Sequence, residues 1–494
     1  MIISPSSGKR HLIPRWRTIG QTLASHELAM PGVKSDHFKP REYTVEIVKR
    51  LEAWRLNPST ITAAELIETA IVLGLESEAK NAAEFLLYRD SGATPLVRFQ
   101  AEIVLGEGGQ RQEASLVTQR LGGKPWRRLL REYPANPLAW VELAREQVIS
   151  GQVNGADRSM NVALRLAPND RHVLRSAACF HLSDPEKAHA IVARSDAVKY
   201  DPWLMSAEIA LADSAETTPL QFKKGLALLD LDQHLPRQVS ELASAVATKF
   251  LLDGNKKRGK AHFRQSLIDP TGNSLAQAEW AGNVLGTGLS IEPQLKHKTD
   301  ATEALALHAY NSGQFEDCLR LSKVWIGEEP FSLRGYEAVS SVANVLEEYE
   351  CAESSACKGL RFHPNSARLV NSRIFSLASI GHLDRAEELI AGLTSDLEMD
   401  SKLVLEANRG LIALRRGNVA EGRSLYQAAI DGFQKVGNTR MARLAEAYLI
   451  REAGLARLPE AGKLLEAALK RPEGPYMKDV SYVLRSIKQR LDAA

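Results

Sequence analysis

The 494-residue chain is 44% apolar and 25% charged, close to the globular average, which excludes wholesale disorder and leaves enough apolar surface for a continuous core. Its formal net charge of +3 is small for the length and gives no bulk attraction for nucleic acid or an anionic membrane. The cysteines, Cys179, Cys318, Cys351 and Cys357, form no CxxC pair, and neither a signal-peptide core nor an apolar run of membrane-spanning length occurs, so no zinc site, disulfide framework or membrane span is expected and the expected compartment is the cytoplasm.

Residues 1–41 carry Pro5, Pro14, Pro31 and Pro40, no sustained helical period, and seven Lys or Arg against Glu27 and Asp36. This stretch reads as a basic, flexible or loosely docked arm. Its one adhesive part is His11-Leu12-Ile13-Pro14-Arg15-Trp16-Arg17. Helical period begins at Glu42, with Ile47, Leu51 and Trp54 on one face, and Thr62-x-x-Glu65 reads as a capping box for the next helix. An extra short helix with a basic side is expected at 121–131. From there prolines mark the chain at intervals of 34: Pro134, Pro168, Pro202, Pro236 and Pro270, with the same step at Pro330 and Pro364. A proline donates no amide hydrogen and fixes its own φ, so its recurrence places the junctions between helices.

Within the units a second device repeats. A glycine ends the first helix and a small residue five positions later lets the second helix approach: Gly74…Ala79, Gly151…Ala156, Gly313…Cys318, Gly381…Ala386 and Gly417…Gly422. The unit Pro137–Asp170, with Trp140, Leu143, Ala144, Gly151, Ala156, Met160, Ala163 and Pro168, resembles the tetratricopeptide repeat signature, and the resemblance extends over roughly residues 60–470. It implies an all-α, right-handed superhelical solenoid of tetratricopeptide-like hairpins. The expected divisions are the arm at 1–41, an N-terminal solenoid at 42–285, a joint at 286–298 where the register breaks, a C-terminal solenoid at 299–475 and a capping helix at 476–494. Pro219 stands where one unit should carry its turn glycine.

No motif announces catalysis. Gly122-Gly123-Lys124 lacks P-loop spacing and is followed by Pro125, the histidines are scattered, and no GxSxG elbow occurs, so no catalytic, cofactor or metal residues are assigned. The densest basic run, Lys256-Lys257-Arg258-Gly259-Lys260, reads as a solvated turn or a contact with an acidic protein, and residues at equivalent inward positions do not repeat chemically as a nucleotide code requires. Those inward positions are Val141 and Arg145, Arg175 and Cys179, Glu303 and Leu307, Glu337 and Ser341, Asn371 and Phe375. The resemblance therefore implies a non-catalytic scaffold or adaptor that binds a folded or extended protein partner in its groove, similar to bacterial repeat proteins that restrain or assemble an effector. A ligand- or peptide-responsive sensor and an RNA-binding repeat protein are the alternatives. The candidate partner-binding residues are Arg145, Arg175, Tyr310, Arg334, Arg368, Asn371 and Phe375, with Arg15, Trp16 and Arg17 on the arm.

Overall fold

A computed structural model describes residues 12, 14–16, 40–73, 76–88, 93, 95–105, 124–231, 234–284, 301–393, 398–474 and 477–493. Among them every regular element is helical, and consecutive helices pair as antiparallel hairpins stacked into an all-α repeat solenoid. The first four helices are α1 (Pro40–Leu56), α2 (Thr60–Leu73), α3 (Lys80–Tyr88) and α4 (Pro95–Leu105), which share a core around Leu66, Ile67 and Leu86. The short α5 (Lys124–Glu132) leads into α6 (Pro137–Ile149), α7 (Val153–Leu166), α8 (Arg171–Phe180), α9 (Pro185–Ala193), α10 (Pro202–Ser214), α11 (Phe222–Leu229), α12 (Pro236–Leu252), α13 (Lys256–Ser266) and α14 (Gly272–Val284). Beyond these come α15 (Thr302–Ser312), α16 (Phe315–Glu328), α17 (Leu333–Val345), α18 (Tyr349–Phe362), α19 (Ala367–Ile380), α20 (Leu383–Ala391), α21 (Met399–Arg415), α22 (Val419–Lys435), α23 (Thr439–Leu455), α24 (Ala461–Leu469) and α25 (Lys478–Ala493).

The proline ladder marks helix starts in two ways. Pro134, Pro168, Pro330 and Pro364 lie just ahead of the residue that caps the following helix, whereas Pro202 and Pro236 occupy its first turn. There the missing amide hydrogen costs nothing, because the first turn has no intrahelical acceptor. Short polar side chains satisfy the free N–H groups beside them: Asn136 accepts from Leu138 and Ala139, Asp170 from Val173, Asp201 from Trp203, and Ser366 from Leu369. At α2 the reciprocal cap lies three residues earlier than Thr62-x-x-Glu65 implies. Ser59 Oγ accepts from the Thr62 N–H while Thr62 Oγ1 accepts from the Ser59 N–H, and Glu65 instead pairs with Arg50 at 2.5 Å.

The glycine device holds at Gly151, Gly313, Gly381 and Gly417, all with positive φ, and the partners Ala156, Cys318 and Ala386 are buried. Gly74 lies outside the described residues. The structure adds Gly254…Gly259, where a Cβ on Gly259 would meet Leu251 at 2.6 Å, and Gly437…Ala442. Pro219 needs no glycine because a carboxylate holds its turn. Glu208, fully buried, accepts from the backbone N–H of Leu220 at 2.8 Å and of Gln221 at 3.0 Å, and contacts His189 Nε2 at 2.9 Å.

Ala156 and Ala386 sit at 0% exposure where their hairpins close. Ala156→Leu and Ala386→Leu are each expected to overpack by about 1–3 kcal/mol, seen as a lower thermal midpoint; no shift in either would contradict the hairpin register.

The expected joint at 286–298 lies outside the described residues, yet one core spans it. Leu275, Trp280 and Ala281 of α14 cluster with Ala301 and Ala304 at the start of α15. At the far end, α25 does more than close the stack. It buries Val480, Val483, Leu484 and Ile487 in the same core as α15–α23 and returns to the start of that half, where Tyr310 donates to Asp479 at 2.9 Å and the Phe315 and Tyr482 rings meet edge to face at 5.1 Å.

Candidate partner-binding site

The inward faces of the first helices of each hairpin are packed rather than open. Val141, Arg145, Arg175, Glu303, Leu307, Glu337, Ser341, Asn371 and Phe375 are all buried. What covers them differs between the halves, and the difference separates the candidate residues into groups.

Where the two halves meet, the cover is the chain's own arm. Arg15 reaches Glu303 at 2.6 Å and Glu329 at 3.6 Å, and its guanidinium also points at the Gly272 carbonyl oxygen, 3.5 Å away. Next to it Trp16, 1% exposed, lies between Phe180 (centroids 5.8 Å, edge-on) and Phe331 (5.0 Å, tilted) and against Val141 and Ala144. Leu12 is 2% exposed. These arm residues are therefore firmly docked, unlike the loose attachment read from composition. Arg17 lies outside the described residues.

The pocket that receives them is rigidly made. Arg334 Nε pairs with the second oxygen of Glu303 at 3.2 Å, Trp325 Nε1 donates to Glu329 at 3.2 Å, and the Phe331 carbonyl faces His363 Nε2 at 2.7 Å. Arg145 donates to the Glu328 carbonyl at 3.1 Å and sets its guanidinium 5.9 Å from the Phe331 ring centroid. That contact joins α6 directly to the turn after α16, so helices far apart in sequence close on the arm from both sides. Burial pulls the Arg145 guanidinium below its ordinary value, while Glu142, Glu329 and Glu146 act to raise it. Burial likewise pushes the half-buried Cys179 thiol up to about 12; it hydrogen-bonds to the Trp16 backbone.

Arg175 stands one layer deeper. It pairs with Glu241 at 3.1 Å, donates to the Trp203 carbonyl at 3.3 Å and lies over the Trp203 ring, tying α8 to α10 and α12. Arg368 faces Glu337 at 3.8 Å; burial raises that carboxyl, against the lowering effect of Arg368 and Arg334.

The remaining candidates do not join the pocket. Tyr310 is held between Asp479 and Arg440 under α25. Asn371 donates to the Ser401 carbonyl at 3.2 Å and its own carbonyl accepts from Asn408 at 3.1 Å, a rung between neighbouring repeats. Phe375 is at 0% exposure against Tyr448 and Arg451. All three sit in the interior of the C-terminal half. Periodicity places a residue on the inward face but is blind to a later helix that fills that face.

Sequence reasoning passed over Glu329, Phe331 and Phe180. The signal for the first two was present: Arg15-Trp16 has its complement in Glu329-Pro330-Phe331, an acid and an aromatic flanking a ladder proline.

His172, on the same helix as Arg175, adds a pH dependence. It is 7% exposed, and burial, with Arg175 in support and Asp170 opposing, lowers its pKa from 6.5 to about 4. The folded state therefore prefers the neutral ring, so the stability this ring contributes is present above pH 6.5 and is lost as pH falls toward 4. Wild-type stability is expected to drop by about 2 kcal/mol more than that of His172→Leu between pH 7.5 and 5, measured by urea midpoints. Equal drops would contradict a buried neutral imidazole.

The described residues hold no group of three or more His, Cys, Asp or Glu placed to bind a metal ion, and none of the described helices is long and apolar enough to cross a membrane. The chain matches no protein-family model and no curated protein. Among solved structures it is similar to yeast Tom70, at 11% identity over 88% of this chain and 96% of that one with a TM-score of 0.30. It is also similar to the APC/C hetero-tetramer Cut9–Hcn1, at 14% identity over 94% of this chain and 95% of that one with a TM-score of 0.32.

Proposed function

We propose that the protein is a non-catalytic scaffold or adaptor that binds another protein through the concave inner face of its solenoid, where the two halves meet. The observation that carries this reading is that the inner face already grips a non-helical stretch of the chain, residues 14–16. Arg15 and Trp16 are held by carboxylates and rings supplied by α8, α15 and the turn before α17, with the shape and charge of a peptide site rather than of a helix–helix core. A buried Arg and a buried Trp are also the residue types that dominate protein–protein binding energy. Restraint or assembly of an effector is the use that fits a repeat scaffold of this kind.

The test is recovery of the tagged full chain from its native cells, as wild type and as Glu303→Lys, with the co-purifying material identified by mass spectrometry. A stoichiometric protein present with wild type and lost with the variant is the expected result. Retention on heparin that falls steeply with salt, together with co-purified nucleic acid, would replace the scaffold reading with RNA binding through the exposed basic face of α13.

A further inference from the structure

We infer that the pocket between α8, α15 and the Glu329–Phe331 turn is an exchangeable site for an extended segment bearing an arginine followed by an aromatic residue, and that the chain's own Arg15-Trp16 is its resident competitor. The inference rests on the scaffold reading and names the chemistry of the partner it would admit.

Three observations support it. First, the pocket has separate fittings for the two side chains. Glu303 and Glu329 receive the guanidinium at 2.6 and 3.6 Å, while Phe180 and Phe331 flank the indole. Second, the fittings are anchored without the arm. Glu303 keeps Arg334, Glu329 keeps the Trp325 indole N–H, and Phe331 is fixed through its carbonyl by His363. A site that holds its shape when its occupant leaves can accept another. Third, the occupant belongs to none of the helices that build the pocket. Arg15 meets Glu303 across 288 residues of sequence, and among the described residues the first helix is α1, from Pro40. Its release breaks no hairpin. By contrast α25, which fills the inner face of the C-terminal half, is a long helix whose apolar side is part of the core. The arm is the cover that can exchange.

The indole nitrogen of Trp16 is buried with no hydrogen-bond partner among the described residues. An occupant with phenylalanine at this position fills the same ring slot without burying a lone donor, so an Arg-Phe segment should compete at least as well as Arg-Trp.

The probe is a synthetic peptide of residues 10–20 carrying a fluorescent label, titrated against the full-length protein by anisotropy. Arg15→Ala/Trp16→Ala is expected to bind it saturably and wild type at least ~10-fold more weakly, since the tethered arm competes at high effective concentration. Adding Glu303→Lys should abolish binding. Alkylation of Cys179, followed by mass spectrometry, should speed up in the double variant and slow again when peptide is added, because Cys179 packs against the cluster that holds Trp16. Should the double variant fail to fold, a protease site inserted between Lys34 and Ser35 of the wild-type chain replaces it: the label should enter the cut protein and not the uncut one.

Absence of binding to both the emptied and the cut protein would overturn the inference, as would equal binding by wild type and Arg15→Ala/Trp16→Ala. Self-association of wild type that disappears in the double variant would overturn it in favour of arm exchange between two copies. The scaffold reading is judged separately by what co-purifies: a partner retained by Glu303→Lys while the peptide fails to bind would sink this site alone.

Discussion

Arg451→Ala is expected to lower stability by about 3–5 kcal/mol, seen as a fall in the urea midpoint of the C-terminal half. Arg451 and Glu452 are 2% and 1% exposed at their side chains, and Arg451 binds Glu452 Oε1 through two nitrogens at 2.9 and 2.6 Å. Its third nitrogen donates to the Tyr349 hydroxyl at 2.9 Å, and its guanidinium lies 4.8 Å from the Tyr448 ring centroid and 5.2 Å from that of Phe375. Burial alone would raise the Glu452 carboxyl; Arg451 and Arg415 outweigh it and hold the group below its ordinary value. A depressed carboxylate contributes stability above its unfolded pKa and loses it as pH falls through the folded value. Removing Arg451 leaves only Arg415, whose side chain is 30% exposed, to compensate a buried charge. Replacing both partners, as Arg451→Met/Glu452→Met, should restore much of the loss, because the penalty lies in the orphaned carboxylate rather than in the missing bond. A double variant less stable than Arg451→Ala would show that the ring contacts, not the charge, hold this site.

Gly422→Ala is expected to cost about 3 kcal/mol or more, and Gly417→Ala about 1–2 kcal/mol, although the two glycines belong to the same hairpin. At Gly417, with φ of +86°, a Cβ would stand in open space, so the cost is the left-handed backbone conformation alone. At Gly422 a Cβ would meet Leu414 Cγ at 2.5 Å and the Gly410 carbonyl oxygen and Leu414 nitrogen at 2.9 Å. A side chain can turn aside, but two backbone atoms cannot without separating α21 from α22. Thermal midpoints of the two variants give the ordering directly; a reversed order would mean that α21 and α22 do not approach through Gly410 and Gly422.

The hairpins were legible because what makes them is local. A proline that cannot donate, a glycine in the left-handed region and a small residue five positions on act within one unit, so their spacing survives in the sequence. Where a different device does the same work, the pattern fades: Glu208 takes over the turn at Pro219, and Gly254…Gly259 is masked by the lysines around it. The candidate site was legible by residue type and not by arrangement. Arg145, Arg334, Arg15 and Trp16 do gather around one pocket, with Arg175 on Glu241 and Trp203 behind it. Tyr310, Asn371 and Phe375 share their inward register but end in the core, since α25 and the neighbouring repeats reach them first. No period relates Arg15 to Glu303 or Tyr310 to Asp479, because those contacts come from the closing of the stack on itself.

That closing changes how the C-terminal half should fold. In an open solenoid each unit leans only on its neighbours, stability accumulates unit by unit, and folding can begin anywhere and spread. Here Tyr310 waits for Asp479 across 169 residues and Phe315 for Tyr482. Contacts of such range slow folding and bind the first and last helices into one cooperative transition, so this half should melt as a single block. Fraying should not proceed inward from its end, and amide protection in α15 should collapse together with that in α25.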